Sequence, residues 1–379
     1  MEFRFTPNQE AFRSEVRSFI QSEFPKAADG ESFTRKLAAR GWLTMSWPKQ
    51  YGGQEADHMR QLVYNEEMAY NRAPGQTMGA DRVGPTLILF GTDEQKERFL
   101  PQIVRDEIRW CQGFSEPGSG SDLSSLQTRA VRDGDFYVIN GQKIWTSGAQ
   151  QADFMILLAR TEPDAPKHRG ITYFLLDMKS PGVTVRPLAQ ITGRSDFNEV
   201  FFDDVRIPAS AVVGEVNRGW YVSTATLDFE RSGIGRVIGG LRTYEEVVEY
   251  ARKTPARDGG GETLWDDRTI RHALADIGIS FRVGRLLSYR VAWMQSRGLV
   301  PNYEASIAKT LGTELHQRLG RVAVTTLGMA GQLTDPARAP MQGAVPALYL
   351  SSVALTIAAG TSEINRNIIA QRGLGLPRG

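Results

Sequence analysis

The chain has 379 residues, a formal net charge of +2 at pH 7 and a single cysteine, Cys111. That length accommodates two or three domains around a large core. Near-neutral charge without a long basic run excludes nucleic acid as the main partner, one cysteine excludes an internal disulfide and fits a reducing cytoplasm, and no apolar run approaches the roughly 18 residues of a membrane span. The first residues, Met1 to Phe5, are charged and amphipathic, without the apolar core of a signal peptide.

Residues 1–110 are expected to be helical. Phe12, Val16, Phe19 and Ile20 recur at the spacing of one helical face. Glu66, Glu67 and Met68 fall in a second run, and Asp93 is placed to cap a third that continues to Phe99. Pro48 and Gly52-Gly53 break the pattern. The region reads as a packing layer rather than a place of chemistry.

From 111 to 222 the period changes to two and the apolar runs shorten, predicting a small β domain. Asp133-Gly134 between Val131 and Tyr137 is a hairpin signal. Phe154 to Leu158, Ile171 to Leu176, Val183 to Val185 and Glu199 to Phe202 read as further strands, separated by turns at 167–170 and 180–182. Residues 223–379 return to long helices. Leu227, Ile234, Ile238, Leu241, Tyr244 and Val248 form one stripe. Ile270, Leu274, Ile277 and Phe281 form a second, and Ile307, Leu311, Leu315, Leu319 and Val322 a third. A last helical stretch, from about Ser351, is interrupted at Gly360. Such a succession predicts an antiparallel bundle, and the whole chain is therefore α+β.

Two stretches stand out chemically. Phe114 to Asp122 packs Pro117, Gly118, Gly120 and three serines into nine residues, a loop by composition. Its glycines let backbone N–H groups approach an anionic ligand, and Ser115, Ser119 and Ser121 add hydroxyls. Asp122 is placed to cap the next element. A string of this kind also occurs as an ordinary surface turn. The second stretch, Gly141 to Gly148, ends a strand with Trp145 and two hydroxyls, a suitable wall for a flat ring.

These stretches resemble the flavin-binding motifs T-E-P-x-x-G-S-D and G-x-K-x-W-I-T-N of the acyl-CoA dehydrogenase family. Ser115 replaces the Thr of the first motif, and Thr146-Ser147-Gly148 replaces Ile-Thr-Asn of the second, so a hydroxyl survives at both Thr positions. Gly41-Trp42-Leu43, Trp47-Pro48, Tyr51-Gly52-Gly53, Phe197 to Phe202, Gly219-Trp220 and Gly360-Thr361-Ser362-Glu363-Ile364 come in the family's order. The resemblance covers nearly the whole chain. It implies an N-terminal helical domain, a small central β-barrel domain and a C-terminal four-helix bundle.

It also implies a reaction: α,β-dehydrogenation of an acyl-CoA thioester, in which a carboxylate takes a proton from Cα and flavin N5 takes a hydride from Cβ. The thioester carbonyl must then be held by donors that strengthen as charge develops on oxygen. One group of the family carries the base just before Gly-Thr in the last helical region. That position is Ala359 here, which cannot take a proton. Another group carries it in an L-D-x-E-R pattern on the helix opening the bundle. Leu227-Asp228-Phe229-Glu230-Arg231 matches it, and Glu230 is the expected base. Lying between Leu227 and Ile234 on one stripe, it would be partly desolvated and its pKa raised. The alternative is a structural carboxylate paired with an arginine among tightly packed helices.

The remaining roles are implied by resemblance. Phe114, Ser115, Ser121, Trp145, Ser147, Arg252, Thr361 and Glu363 match FAD-binding positions. Ser121, Arg231 and the backbone N–H of Ala359 match positions at the substrate. Glu363 stands where some members have Gln, and a carboxylate beside a phosphate is unfavourable. The R-x-x-F-G motif that usually contacts a neighbouring subunit's FAD is missing: Arg252-Lys253-Thr254 is followed by Pro255, and Arg268 stands near the usual Gln. The chain also resembles bacterial steroid-degrading members that assemble as α2β2. A homo- or hetero-oligomer is therefore expected, with an electron-transfer flavoprotein as electron acceptor. Three alternatives stay open: an FAD-binding or structural subunit, an enzyme acting on a carrier-protein thioester, and a flavin monooxygenase relative.

Overall fold

The structure is a computed structural model that describes residues 4–228, 233–256 and 262–377. Five helices come first: α1 (Pro7–Glu23), α2 (Gly30–Ala39), α3 (His58–Tyr70), α4 (Gly84–Phe90) and α5 (Asp93–Val104). Seven strands follow: β1 (Trp110–Gly113), β2 (Arg129–Asp133), β3 (Phe136–Lys143), β4 (Phe154–Arg160), β5 (Ile171–Asp177), β6 (Val183–Leu188) and β7 (Phe197–Pro208). The chain then returns to helices: α6 (Gly219–Asp228), α7 (Ile234–Ile238), α8 (Leu241–Lys253), α9 (Arg268–Ser296), α10 (Tyr303–Leu327), α11 (Ala344–Leu355) and α12 (Ser362–Ile368). The described residues fall into two compact units, one from 1–30, 57–75 and 231–379, the other from 31–56 and 76–230.

In the second of these units the strands form one mixed sheet, a half-barrel ordered β1-β4-β2-β3-β7-β6, with β5 on the other side of β4. β2 and β3 make the expected hairpin, Asp133 opposite Phe136 across Gly134-Asp135. Ile171 to Leu176 are buried at every position. A strand buried on both faces reads as a continuous apolar run, which is why these residues do not alternate. Gly141 sits at the irregularity between β3 and β7 with φ +141°. A Cβ there would lie 2.8 Å from Cα of Thr128, so only glycine lets β3 pass this close.

The other unit is helical. Val237, Ile238, Ile277, Phe281, Leu315 and Leu319 make its core together with Leu62 of α3. Glu66 and Glu67, adjacent and both buried on α3, are held by a polar cluster. Arg13 donates to Glu66 at 2.7 Å and to Glu67 at 3.1 Å, Arg17 donates to Glu67, and Tyr289 donates to Glu66 at 2.9 Å. Two buried carboxylates side by side are tolerable only with this many donors.

Two expectations about helix ends are corrected. Thr92, not Asp93, caps α5: its side chain accepts from Gln95 N at 3.3 Å, and Gln95 Oε1 accepts from Thr92 N at 3.1 Å. The reciprocal T-x-x-Q box satisfies two orphan donors and outcompetes a lone carboxylate one residue later. The stripe from Leu227 to Val248 is not one helix. α6 is described as far as Asp228, Gly233 caps α7 in a left-handed conformation (φ +63°), and α8 restarts at Leu241 after Gly239-Gly240. Gly233, in the left-handed region that glycine enters at little cost, sets the break before α7.

Candidate active site

The Phe114–Asp122 loop leaves β1 with Phe114 buried edge-on against Tyr173, ring centroids 6.0 Å apart. Glu116 and Ser119 close a tight turn by mutual backbone bonds of 2.9 and 3.0 Å. Pro117 and Gly118 form its exposed tip, and open space surrounds Gly118 and Gly120. Ser119 turns inward and donates to the Asp122 carbonyl at 2.8 Å, so its hydroxyl is structural. Ser115 is half-buried and Ser121 is exposed. The Asp122 side chain does not make the cap that the sequence suggested. It accepts instead from Lys167 and from the Ser124 hydroxyl, each at 2.7 Å, which hold it below the usual carboxylate range.

Beneath the loop lies an ion pair that joins both motifs. Lys143, wholly buried, donates to Glu116 Oε1 at 2.7 Å and to the Phe114 carbonyl at 3.0 Å. Glu116 also accepts from the backbone of Gln127 at 2.6 Å and Thr128 at 2.9 Å. Burial by itself would raise the Glu116 carboxyl, but the Lys143 charge and these donors hold it down. Lys143 is pushed down to about 8, chiefly by burial.

The second motif is fastened at both ends. Ile144 N donates to the Ser115 carbonyl at 2.9 Å. Thr146 and Asn198 exchange backbone bonds at 3.0 and 3.1 Å, and Asn198 Nδ2 adds a third at 2.9 Å. The Thr146 hydroxyl is buried without a partner among the described residues, so of the two hydroxyls expected at the wall only that of Ser147 is exposed. Between the clamps Trp145 stands at φ +60° with 60% of its surface exposed, its ring edge-on to Phe197. A left-handed non-glycine residue costs roughly 1–2 kcal/mol, and an exposed indole leaves apolar area in water. Both costs are offset when a flat ring covers the indole. An exposed ring wall beside the hydroxyl of Ser147 therefore fits a flavin.

In the helical unit, residues 356–361 make a turn between α11 and α12. Ala359 and Gly360 are both left-handed, at φ +53° and +84°, and both are exposed. The Ala359 methyl confirms that no carboxylate stands here. Thr361 caps α12, accepting from Ile364 N at 3.2 Å, so one of its lone pairs is engaged by the fold. Glu363 is exposed in the first turn, held low by backbone N–H bonding and by the Thr361 hydroxyl. Lys309 donates to the Gly360 carbonyl at 2.5 Å, and Asn365 donates to Gly360 at 3.0 Å and Thr361 at 2.9 Å. Neither Lys309 nor Asn365 stood out in the sequence. Lys309 sits among Ile307, Ala308 and Leu311, where a polar residue on a helix is usually read as solvated.

Arg252 stands in the last turn of α8 with its guanidinium 4.7 Å from the centre of the Trp265 ring, a cation–π contact. Arg268 is the first, exposed residue of α9. Glu230 and Arg231 lie outside the described residues.

Three family models match in order: the acyl-CoA dehydrogenase N-terminal domain over residues 6–107, the middle domain over 111–205 and the C-terminal domain over 217–374. The chain belongs to the acyl-CoA dehydrogenase family. Acyl-CoA dehydrogenase IpdE1 of Mycobacterium tuberculosis is 42% identical over 352 residues, 92% of this chain and 88% of the relative. Acyl-CoA dehydrogenase FadE26 of the same organism is 37% identical over 100% of this chain and 99% of its own. Among solved structures, the Tcur3481-Tcur3483 steroid ACAD superposes with a TM-score of 0.90 at 34% identity, covering 100% of both chains. The ChsE4-ChsE5 complex from Mycobacterium tuberculosis gives 0.89 at 36% identity, again over 100% of both chains. This acyl-CoA dehydrogenase is thus an oxidoreductase acting on acyl-CoA, from a flavoprotein family.

Proposed function

We propose that this acyl-CoA dehydrogenase carries out FAD-dependent α,β-dehydrogenation of a bulky, ring-bearing acyl-CoA, with Glu230 as the base. The observation that carries this reading is Ala359. The turn before Gly360-Thr361 is built and fastened, yet its side chain is a methyl, and the chain's alternative carboxylate is Glu230 in Leu227-Asp228-Phe229-Glu230-Arg231. When bound, FAD supplies the acceptor for the hydride that leaves Cβ. Trp145 and the hydroxyls of Ser115 and Ser147 hold the ring, and Phe114 supports the loop from below. Ser121, Thr361 and Arg252 match positions that would hold its polar arms, and Glu363 is the least suited of the set because it is a carboxylate. In this reading the backbone N–H of Ala359 would donate to the thioester oxygen and Glu230 would remove the α-proton, while Arg231 matches a family position at the substrate. The ring-bearing acyl group is supported by the small side chains of Ala358 and Ala359 and by the steroid ACAD among similar structures.

Two similar structures, Tcur3481-Tcur3483 and the ChsE4-ChsE5 complex, pair two components, which supports a second component in the working enzyme here. Electrons then leave for an electron-transfer flavoprotein. The test is Glu230→Gln. The variant keeps its FAD and binds acyl-CoA but loses flavin bleaching by substrate, by at least the roughly 10²–10⁴ that general-base catalysis contributes. Equal bleaching in the variant places the base elsewhere.

A further inference from the structure

Lys309 is 6% exposed, and among the described residues no carboxylate comes within 4 Å of its ammonium group. Among the described residues its acceptors are main-chain oxygens: Gly360 at 2.5 Å and Leu355 at 3.4 Å. A buried ammonium satisfied by carbonyls alone is costly, and an apolar side chain would fill the same space without that cost. What the ammonium does, and a methyl group cannot, is grip the turn. The turn needs gripping. Ala359 and Gly360 are consecutive left-handed residues. Alanine resists that region, and the peptide units on either side can turn over unless a carbonyl is pinned. Asn365 Nδ2 supplies a second donor to the same Gly360 oxygen. With that carbonyl held from the buried side, the Ala359 N–H meets no acceptor among the described residues.

We propose that Lys309 is a positioning residue: by pinning the Gly360 carbonyl it keeps the Ala359 N–H free and aligned for the thioester oxygen, without itself touching substrate. This rests on the dehydrogenase reading given above. It also explains why the turn is intact although it carries no catalytic carboxylate. The backbone donor is its function here. Burial and the nearby Arg236 push the Lys309 amine down to about 8, consistent with an ammonium held where it is electrostatically uncomfortable.

The probe is a conjugated aryl-enoyl-CoA added to the FAD-loaded enzyme. Its thioester absorbance moves to longer wavelength when donors polarise the carbonyl, a readout that loss of packing alone does not give. The wild type is expected to show the red shift. Lys309→Met is expected to lose half of it or more, with kcat falling tenfold or more and KM changing less, because the donor acts most strongly as charge develops. Lys309→Arg, which keeps the cation, is expected to retain most of the shift. Should Lys309→Met fail to fold, Asn365→Ala removes the milder of the two donors and is expected to diminish the shift. A wild-type shift that Lys309→Met, or in its place Asn365→Ala, preserves in full overturns the role of Lys309 and leaves the dehydrogenase reading standing. A wild type that shifts no acyl-CoA chromophore overturns both.

Discussion

The Nζ of Lys143 lies 2.7 Å from Oε1 of Glu116, which ties the end of β3, just before Trp145, to the loop bearing Ser115 through a pair hidden from solvent. Glu116 in turn accepts two backbone N–H groups from the far side of the loop. The pair therefore fixes the separation of the two motifs, not merely their individual shapes. Removing one partner of a buried pair leaves an uncompensated charge and typically costs about 3–5 kcal/mol.

Lys143→Met is accordingly expected to destabilise the protein by about 3 kcal/mol or more and to weaken FAD binding in parallel. Urea unfolding and an FAD titration measure the two effects. An unchanged unfolding midpoint together with unchanged FAD affinity would show that the loop holds its shape without the pair.

Trp145 behaves in the opposite way. It is 60% exposed and left-handed, so truncating it removes little packing and relieves some strain when glycine is the replacement. Trp145→Gly should leave the stability of the FAD-free protein unchanged or slightly raised. Its FAD dissociation constant should rise at least tenfold, a loss of about 1.4 kcal/mol. Calorimetric melting of the FAD-free protein and fluorescence titration with FAD check both halves. A large stability loss with normal FAD affinity contradicts the assignment of the indole to the ring wall.

Much of this was legible in the sequence because it rests on local rules. Buried strands such as Ile171 to Leu176 announce themselves as unbroken apolar runs, and Asp133-Gly134 marks its hairpin. Both flavin motifs are contiguous, so their residue types could be read directly. What the sequence hid was pairing at a distance. Lys143 and Glu116 stand 27 residues apart, and Lys309 and Gly360 stand 51 apart. A lysine gives no local sign that it will be buried under a carbonyl. Helix ends failed for a related reason. Capping at Thr92 depends on Gln95 folding back, and the break at Gly233 depends on a backbone conformation that apolar spacing does not encode.

Lys309 gives the pH dependence a sign. Burial is the main cause of its depressed value of about 8. Arg236 adds to the shift, while Glu314 and Glu363 oppose it, and Arg366 of α12 pairs with Glu314 nearby. Folded lysine is charged below about 8 and neutral above; unfolded lysine stays charged to its ordinary 10.5. Between those values the unfolded chain binds more protons, so this residue's contribution to stability rises with pH. The grip on Gly360 weakens over the same window. The kcat of the wild type should therefore fall through an apparent pKa near 8, and Lys309→Arg should not show that limb. The stability of the wild type relative to Lys309→Met should meanwhile improve between about pH 8 and pH 10. Activity and relative stability moving in the same direction would contradict this account.

The small residues of the 356–361 turn bear on the shape of the acyl group. Ala358 and Ala359 are exposed there, and Gly235 on α7 has open space where a Cβ would stand. On the proposed reading, small residues at these points would leave width for a branched or cyclic group beside Cα and Cβ. Each additional methylene buried in a fitting pocket contributes about 0.8 kcal/mol, so roughly two of them give a tenfold preference. The ratio kcat/KM should therefore favour α-methyl and ring-bearing acyl-CoAs over straight chains of equal carbon count. Ala359→Glu supplies the complementary test. It returns a carboxylate to the turn, at φ +53°, where a longer side chain is no worse off than alanine in backbone terms. It also fills the width that Ala359 leaves. Turnover of bulky substrates should fall by a larger factor than turnover of linear ones. In the double variant with Glu230→Gln, some activity on short linear substrates should return. A wild type that prefers short straight chains, or an Ala359→Glu variant that slows both classes equally, would show that this turn does not set the width of the site.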